Sequence, residues 1–180
     1  EWYLRANSAG VDELHYAEPQ TTAEASGKKL MLHAGRETNC LTLNVSHDAY
    51  QPDSIKAATV PRTGDQPEAV SNVSNQDFMG TAPADSSASG LPDFAWCQPP
   101  GNSNNGEMAD ATATARANEL AFKLRATGKL DGTVYGGLLL PATIVEVGGA
   151  GHNNGKWYVD TTTHRFDDKG YFVDFELIRN

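Results

Sequence analysis

Residues 155–180, GKWYVDTTTHRFDDKGYFVDFELIRN, decide the fold that this sequence predicts. Apolar side chains recur at every second position from Tyr171 to Leu177, which is the period of a β-strand with one buried face. A second strand is predicted at Lys156–Thr163, and the acidic turn Asp167–Gly170 between the two contains a glycine that tolerates positive φ. The stretch therefore predicts an antiparallel β-hairpin.

Two more strands are predicted before this hairpin, at Lys129–Gly136 and Ala142–Gly148. The turns Gly148–Gly151 and Asn153–Gly155 supply the Gly and Asn residues that sharp reversals need. Because four strands follow one another through short turns, we expect a four-stranded antiparallel meander.

One helix is predicted ahead of these strands, at Glu107–Thr127. Asn105 stands at the N-cap position, and Gly128 stands where the helix should stop. The apolar stripe of this helix is rich in alanine and consists of Ala113, Ala117, Leu120, Ala121 and Leu124. Small side chains permit a close approach, so the helix should pack against a flat surface such as a sheet.

The first 106 residues give a weaker pattern. Leu30–His33 and Cys40–Val45 predict a hairpin, with Leu41, Leu43 and Val45 on its buried face. Short strands are expected at Glu13–Ala17, Ile55–Val60 and Ala69–Val73, and low-complexity loops at Gly80–Leu91 and Pro99–Gly106. We therefore expect a loop-rich, strand-poor region at 1–106 and a helix with a four-stranded barrel-type domain at 107–180.

Composition and charge narrow the possible functions. The 180 residues are 39% hydrophobic and 21% charged, which fits a globular chain, and the net charge of −9 argues against a nucleic-acid partner. No apolar run approaches the length of a membrane span. Cys40 and Cys97 could form one disulfide or remain two free thiols. The chain begins Glu-Trp-Tyr-Leu rather than with Met, which is consistent with a fragment of a longer polypeptide.

A possible active or metal site would use His152, Asp160 and His164. Their spacing is that of neighbouring strands in a hairpin rather than of a ligand motif, so we expect His164 to be a structural, hydrogen-bonded residue. The glycine-rich Gly148–Gly155 could suggest a phosphate-binding loop, but such loops precede a helix. A strand follows here, which favours a hairpin turn.

Acidic pairs and tryptophans offer two further readings. The neighbouring carboxylates Asp12–Glu13 and Asp167–Asp168 could suggest glycoside hydrolysis or calcium binding, but acids in polar turns are mostly solvated. Trp2, Trp96 and Trp157 could stack on sugars, although Trp157 falls in a predicted strand and is expected in a core or interface. We therefore predict no catalytic, cofactor-binding or metal-binding residues.

The C-terminal stretch also carries a family resemblance. The residues are Gly155–Val159 (GKWYV), Thr162–Phe166 with its Thr-His pair, Gly170–Tyr171, and a last strand that closes on Arg179. This pattern resembles the end of phage late control D proteins, the baseplate hub proteins of contractile tails, which are related to the hub portion of type VI secretion spike proteins. The preceding helix, Ala115–Gly128, fits the same order.

The resemblance covers about residues 107–180, and Leu30–Asp48 resembles an earlier strand pair of the family more loosely. One departure lies at Leu140–Ile144, where family members usually place a glycine after the proline and this chain has Ala142. A complete hub usually has two barrel-like domains and an insert, so the resemblance implies that 180 residues form only part of one.

What the resemblance implies is a mainly β (α+β) fold, an antiparallel β-barrel-like tube domain with one packed α-helix and long loops. It also implies a non-enzymatic hub that adapts the tail tube to the central spike. Such a protein would be a homotrimer that contacts tube and spike proteins, needs no cofactor and binds neither nucleic acid nor membrane. It would assemble in the bacterial cytoplasm and reside in the virion.

Two rival functions remain at this point. The first is a secreted carbohydrate- or cell-wall-binding β-domain that uses exposed tryptophans. The second is a hub with lytic activity, for which the sequence shows no acid and nucleophile arrangement.

Overall fold

The computed structural model describes residues 2–6, 9–25, 27–59, 69–79, 94–99 and 106–180. The strands are β1 (Trp2–Ala6), β2 (Asp12–Tyr16), β3 (Leu30–Met31), β4 (Cys40–His47), β5 (Ser54–Ala58), β6 (Ala69–Asn72), β7 (Ala95–Cys97), β8 (Leu124–Asp131), β9 (Ile144–Gly148), β10 (Gly155–Asp167) and β11 (Gly170–Arg179). The α-helices are α1 (Gly106–Leu120) and α2 (Gly132–Tyr135). The fold is mainly β with a packed helix, as predicted.

The described residues form two compact units. The first contains β1–β4 and β8–β11, and the second contains β5–β7 with α1. The predicted division into a loop-rich region at 1–106, part of an adjacent hub domain, and a helix with a barrel-type domain at 107–180 stays a prediction.

The first unit is built on a curled six-stranded sheet that resembles half a barrel, in the order β3-β9-β10-β11-β8-β4. The predicted C-terminal hairpin is confirmed as β10 and β11, which pair from Tyr158–Ile178 down to Asp167–Gly170. A bulge between Val159 and Thr161 interrupts the pairing. The pairs β9–β10, β10–β11 and β11–β8 are antiparallel, whereas β3 runs parallel to β9.

The core of this unit lies on one face of the hairpin. Val173, Phe175 and Leu177 are at most 2% exposed, which confirms the period-2 pattern that predicted the last strand. Trp157 and Val159 of β10 are fully buried in the same cluster. At about 25 cal/mol per Å² of apolar surface removed from water, burial of such large side chains is the main stabilising contribution here.

The predicted meander is wrong in its order. β8 does not pair with β9, the next strand along the chain, but with β11, in register from Leu124–Arg179 to Asp131–Phe172. This pairing places Ala126 and Leu130, both fully buried, beside the apolar face of β11. A pattern read one strand at a time does not reveal which neighbour a strand will take.

The predicted helix is also too long, because α1 ends at Leu120 rather than at Thr127. Residues 124–131 alternate between buried and more exposed positions and form β8. Gly128, predicted as the helix stop, lies in this strand opposite Phe175. A Cβ at Gly128 would stand 2.4 Å from the Phe175 ring, so only glycine fits there. The predicted N-cap, Asn105, lies outside the described residues.

The predicted strand Lys129–Gly136 ends early and turns into α2. Asp131 caps this short helix, since its Oδ1 accepts hydrogen bonds from the backbone N–H groups of Thr133 and Val134 at 3.0 and 3.1 Å. Gly136 ends it with a φ of 59°. The ring of Tyr171 lies against Gly132, where a Cβ would come within 2.3 Å of it.

The hairpin predicted from Leu30–His33 and Cys40–Val45 does not form. β3 lies at one edge of the sheet and β4 at the other. Asn39 connects the two edges: its Oδ1 accepts from Met31 N at 2.8 Å and its Nδ2 donates to Lys29 O at 2.9 Å. Its backbone carbonyl accepts from Asp131 N at 2.8 Å, beside β8. β3 and β4 therefore lie at opposite edges of a curled sheet, and they do not pair with each other as a hairpin.

The buried face predicted for β4 is right only in part. Leu43 and Val45 pack against the core of the first unit, whereas Leu41 is 50% exposed. Cys40, one position earlier, is buried instead.

The second unit packs α1 on a three-stranded sheet of order β6-β5-β7. Ala113 and Ala117 are buried against Ile55 and Ala57 of β5, which confirms the prediction of an alanine face on a sheet. The predicted strands near 55–60 and 69–73 are confirmed as β5 and β6. The low-complexity stretches at 80–91 and 100–105 lie outside the described residues.

A two-stranded hairpin, β1 with β2, completes the first unit, and β2 confirms the strand predicted at 13–17. Leu4 and Leu14 stand opposite each other and are 62% and 68% exposed. Tyr3 stacks on His15 with ring centroids 5.0 Å apart.

Candidate assembly surfaces

The residues that carried the family resemblance meet at the two ends of the β10–β11 hairpin. At the base, the Arg179 guanidinium lies 5.8 Å over the ring of buried Trp157 and donates to Asn154 O at 3.1 Å. Trp157 Nε1 in turn donates to Asn153 O at 2.9 Å. Burial lowers the pKa of Arg179 from its ordinary value. These contacts fasten the last strand to the turn that precedes β10.

At the other end, the His164 ring is hydrogen-bonded on both nitrogens, and its structural role stays a prediction. Its Nδ1 lies 2.7 Å from the Tyr171 hydroxyl, and its Nε2 lies 3.1 Å from the Leu139 carbonyl. A carbonyl can only accept, so Nε2 carries a proton; in the neutral ring Nδ1 then accepts from the tyrosine. Tyr171 also stacks on Phe166, with centroids 4.4 Å apart, and burial raises the pKa of its hydroxyl.

The cluster of His152, Asp160 and His164 does not assemble into a metal site. Within the described residues, no group of three or more His, Cys, Asp and Glu side chains lies close enough to hold an ion. Both ring nitrogens of His164 are already hydrogen-bonded. The glycine-rich Gly148–Gly155 is a turn between β9 and β10, as predicted, with a short 3-10 helix within it.

The structure also shows where the tryptophans, the acidic turn and the cysteines lie. Trp157 is fully buried and cannot stack on a sugar, whereas Trp96 is 37% exposed. The side chain of Trp2 lies outside the described residues. Asp167 accepts a hydrogen bond from Lys169 N at 2.8 Å and so shapes the hairpin turn.

Both cysteines are free, with Cys40 buried and Cys97 exposed.

Two edges of the six-stranded sheet have no strand partner within the described part of the chain. β9 pairs with β10 only over Gly155–Tyr158, so residues 160–167 have an open outer edge. β4 is the last strand on the other side, and its eight residues leave a second open edge. The N–H and C=O groups of such edges pair readily with strands of another chain.

An open groove of about 430 Å³ lies on the polar face of this sheet. Its hydroxyl groups come from Thr42, Thr127, Thr161 and Thr163. Two charged side chains at the groove have partners, since Asp174 pairs with Arg165 at 2.9 Å and Lys129 lies 4.3 Å over the Phe172 ring. The third, Glu176, is exposed. This face therefore offers hydroxyl groups and carboxylates for hydrogen bonding.

The second unit contains a smaller cleft of about 310 Å³, lined by Tyr50, Pro52, Phe94, Trp96, Arg116 and Leu120. We call it the aromatic cleft. Its rings are open to solvent, with Tyr50 92% and Phe94 48% exposed. The Arg116 guanidinium lies 5.6 Å from the centre of the Trp96 ring. The sequence pattern does not predict that these residues meet, because they come from three separate segments of the chain.

No helix in the described ranges is long and apolar enough to cross a membrane. No protein-family model matches the sequence, and no curated protein matches it.

Solved structures do resemble the fold. The 43 kDa tail protein of prophage MuSo2 from Shewanella oneidensis superposes with a TM-score of 0.65 at 14% identity, over 99% of this chain and 50% of that one. A tail protein from Neisseria meningitidis MC58 superposes with a TM-score of 0.63 at 12% identity, over 99% and 51%. The chain therefore shares a fold with these phage-type tail proteins and spans about half their length.

Proposed function

We propose that this chain is part of a structural baseplate hub of a contractile phage tail or a related injection apparatus. The observation that carries the proposal is the superposition of 99% of the chain on tail proteins from two bacteria. The hub-like sequence pattern at 155–180 supports the same reading, since its residues fasten both ends of one hairpin.

The two open edges of the six-stranded sheet are consistent with this role. A strand edge that pairs with the edge of the next copy makes a head-to-tail contact, and such contacts close into a ring when the rotation permits. The open edges therefore support the proposal of a ring-forming component. In our proposal it forms a homotrimer that joins the tail tube to the spike, without an enzymatic step of its own.

The proposed location follows from the proposed role. The protein would fold and assemble in the bacterial cytoplasm and remain in the virion, in contact with tube and spike proteins. Neither nucleic acid nor membrane is proposed as a partner, in keeping with the net charge of −9.

Light scattering coupled to size exclusion tests the proposal. The purified chain should elute as a trimer whose share rises with protein concentration, and it should co-purify with a spike protein expressed beside it. A chain that stays monomeric at high concentration and is retained on immobilised cell-wall glycan would instead establish the carbohydrate-binding alternative. Burial of Trp157 already removes one of the three aromatic groups which that alternative invoked.

A further inference from the structure

We propose that Asn154 is a deamidation site that the folded base of the β10–β11 hairpin keeps closed, with Arg179 as the residue that holds it closed. The inference concerns a chemical modification of the chain itself. It does not depend on the proposed function.

Asn154 is followed by Gly155, and an asparagine before a glycine is the one that loses its amide most readily. The glycine nitrogen attacks the asparagine Cγ, since glycine has no Cβ to obstruct the approach. A bond forms between this nitrogen and Cγ, the bond from Cγ to Nδ2 breaks, and the glycine amide proton leaves with Nδ2 in ammonia. Water then opens the cyclic imide. Opening at Cγ gives aspartate, and opening at the main-chain carbonyl gives isoaspartate, which lengthens the main chain.

The fold uses both residues of this dipeptide. Asn154 Oδ1 accepts from Ala150 N at 2.7 Å, which helps to close the turn between β9 and β10. Gly155 has a φ of 123°, a conformation that a residue with a Cβ rarely adopts. Asn154 is exposed, so water reaches its side chain. A chemically labile pair is therefore built into the start of β10.

The folded backbone keeps the reacting atoms apart. The ψ of Asn154 is 151°, so the peptide that links it to Gly155 is extended. Ring closure requires this peptide to rotate until its nitrogen eclipses the Asn154 Cβ. The rotation would carry the Asn154 carbonyl away from Arg179 Nη1, which donates to it at 3.1 Å. It would also disturb the pairing of Gly155 with Val147 of β9.

Arg179 opposes this rotation most strongly. A hydrogen bond from a charged donor is roughly twice as strong as one between neutral groups. The guanidinium is itself held in place, 5.8 Å over the ring of buried Trp157. A reaction that needs local opening proceeds at a rate set by the population of the open state. Loss of the Asn154 amide therefore records how often Arg179 releases the turn.

Mass spectrometry of the tryptic fragment 130–156 tests whether the fold closes the site. In mildly alkaline buffer, Asn154 in the native full chain should lose its amide at least tenfold more slowly than in the same chain unfolded in urea. Asn154→Gln should remove most of the change in this fragment, because glutamine would have to form a larger ring. This variant confirms which residue reacts.

Arg179→Gln tests the residue that holds the site closed. It should raise the rate in the native chain about tenfold, while buried Cys40 stays unreactive toward thiol reagents and so reports an intact core. Arg125→Gln is the matched control, since it makes the same change at an exposed position of the neighbouring strand β8. Its rate should stay within a factor of two of the wild type.

Three outcomes overturn the inference. The first is a native rate equal to that of the unfolded chain, and the second is an Arg179→Gln rate no higher than that of Arg125→Gln. The third is faster deamidation of Arg179→Gln accompanied by labelling of Cys40, because global unfolding would then explain the result. None of these outcomes bears on trimer formation, so the proposed function is tested separately.

Discussion

Ala142 adopts a φ of 57°, in the left-handed region that side chains with a Cβ rarely occupy. It occupies the stretch where the resembling family usually has a glycine, and its N–H still donates to Val159 O at 2.8 Å. A left-handed conformation costs a non-glycine residue about 1–2 kcal/mol, and a glycine avoids this cost. The greater freedom of glycine in the unfolded chain, however, destabilises the folded state by about 0.5–1 kcal/mol. The alanine that departs from the family pattern, Ala142, therefore has a strained backbone conformation.

We expect Ala142→Gly to stabilise the protein by about 0.5–1 kcal/mol, the difference between those two effects. Urea unfolding followed by circular dichroism measures the change. Ala150→Gly is the matched control, since Ala150 has a φ of −99° and gains nothing from glycine. A loss of stability in both variants would show that Ala142 is not strained.

Cys40 makes the stability of the protein sensitive to alkaline pH. Burial raises the pKa of its thiol from 9.0 to about 11, although a backbone hydrogen bond at Thr42 lowers it in part. The folded state therefore favours the neutral thiol. Its contribution is fully present below pH 9, where the unfolded thiol is also protonated, and is lost as the pH rises toward 11.

The measurement is the free energy of unfolding between pH 8 and pH 11 for the wild type and for Cys40→Ala. The wild type should lose stability more steeply, and the comparison removes the parallel effect of Tyr135, whose pKa burial also raises. Thiol labelling offers a second check, because exposed Cys97 should react in the native protein and Cys40 only after unfolding. Equal slopes for both proteins would contradict this account.

At the scale of elements, the sequence predicted most of the strands but not every boundary. The alternation from Tyr171 to Leu177 is a local signal, and β11 follows it. The stretch 121–127 carries alanine and leucine that suit a helix, yet pairing with β11 buries Ala126 and turns the segment into a strand. A tertiary contact overrides helix propensity here, because propensity contributes only a few tenths of a kcal/mol per residue.

The ion pair between Lys123 and Asp53 links the end of α1 to the start of β5 in the second unit. Lys123, which follows α1, is 7% exposed and pairs with Asp53 just before β5. Asp53→Asn should lower the free energy of unfolding by about 3 kcal/mol, the lower end of the range for breaking a buried pair, because it removes a carboxylate from beside a buried ammonium. Thermal or urea unfolding would report the loss.

The matched control is Glu146→Gln, which breaks the exposed pair between Lys29 and Glu146. Both of those side chains are at least 40% exposed, so the cost should stay below about 1 kcal/mol. Similar losses in the two variants would mean that burial of Lys123 does not set the strength of its pair.

At the scale of the whole molecule, the arrangement of strands and the candidate surfaces were the parts that the sequence did not reveal. Asn39 forms hydrogen bonds that link the two edges of the curled sheet, and the residues around it in the sequence do not predict this contact. The aromatic cleft joins Tyr50, Trp96 and Arg116 from distant segments. Non-local pairing depends on the sum of many contacts, whereas periodicity reports only on one element at a time.

Hydrogen exchange can test whether the open edges of the sheet are the surfaces that assemble. If copies pair through these edges, amides of residues 160–167 and of Cys40–His47 should exchange at least tenfold more slowly in the assembled protein than in dilute monomer. Protection should fall on alternate residues, because successive N–H groups of a strand point to opposite sides. The amides of Val173–Ile178 serve as an internal reference, since they already lie between β10 and β8. Unchanged exchange at both edges would place the contact between copies on another surface.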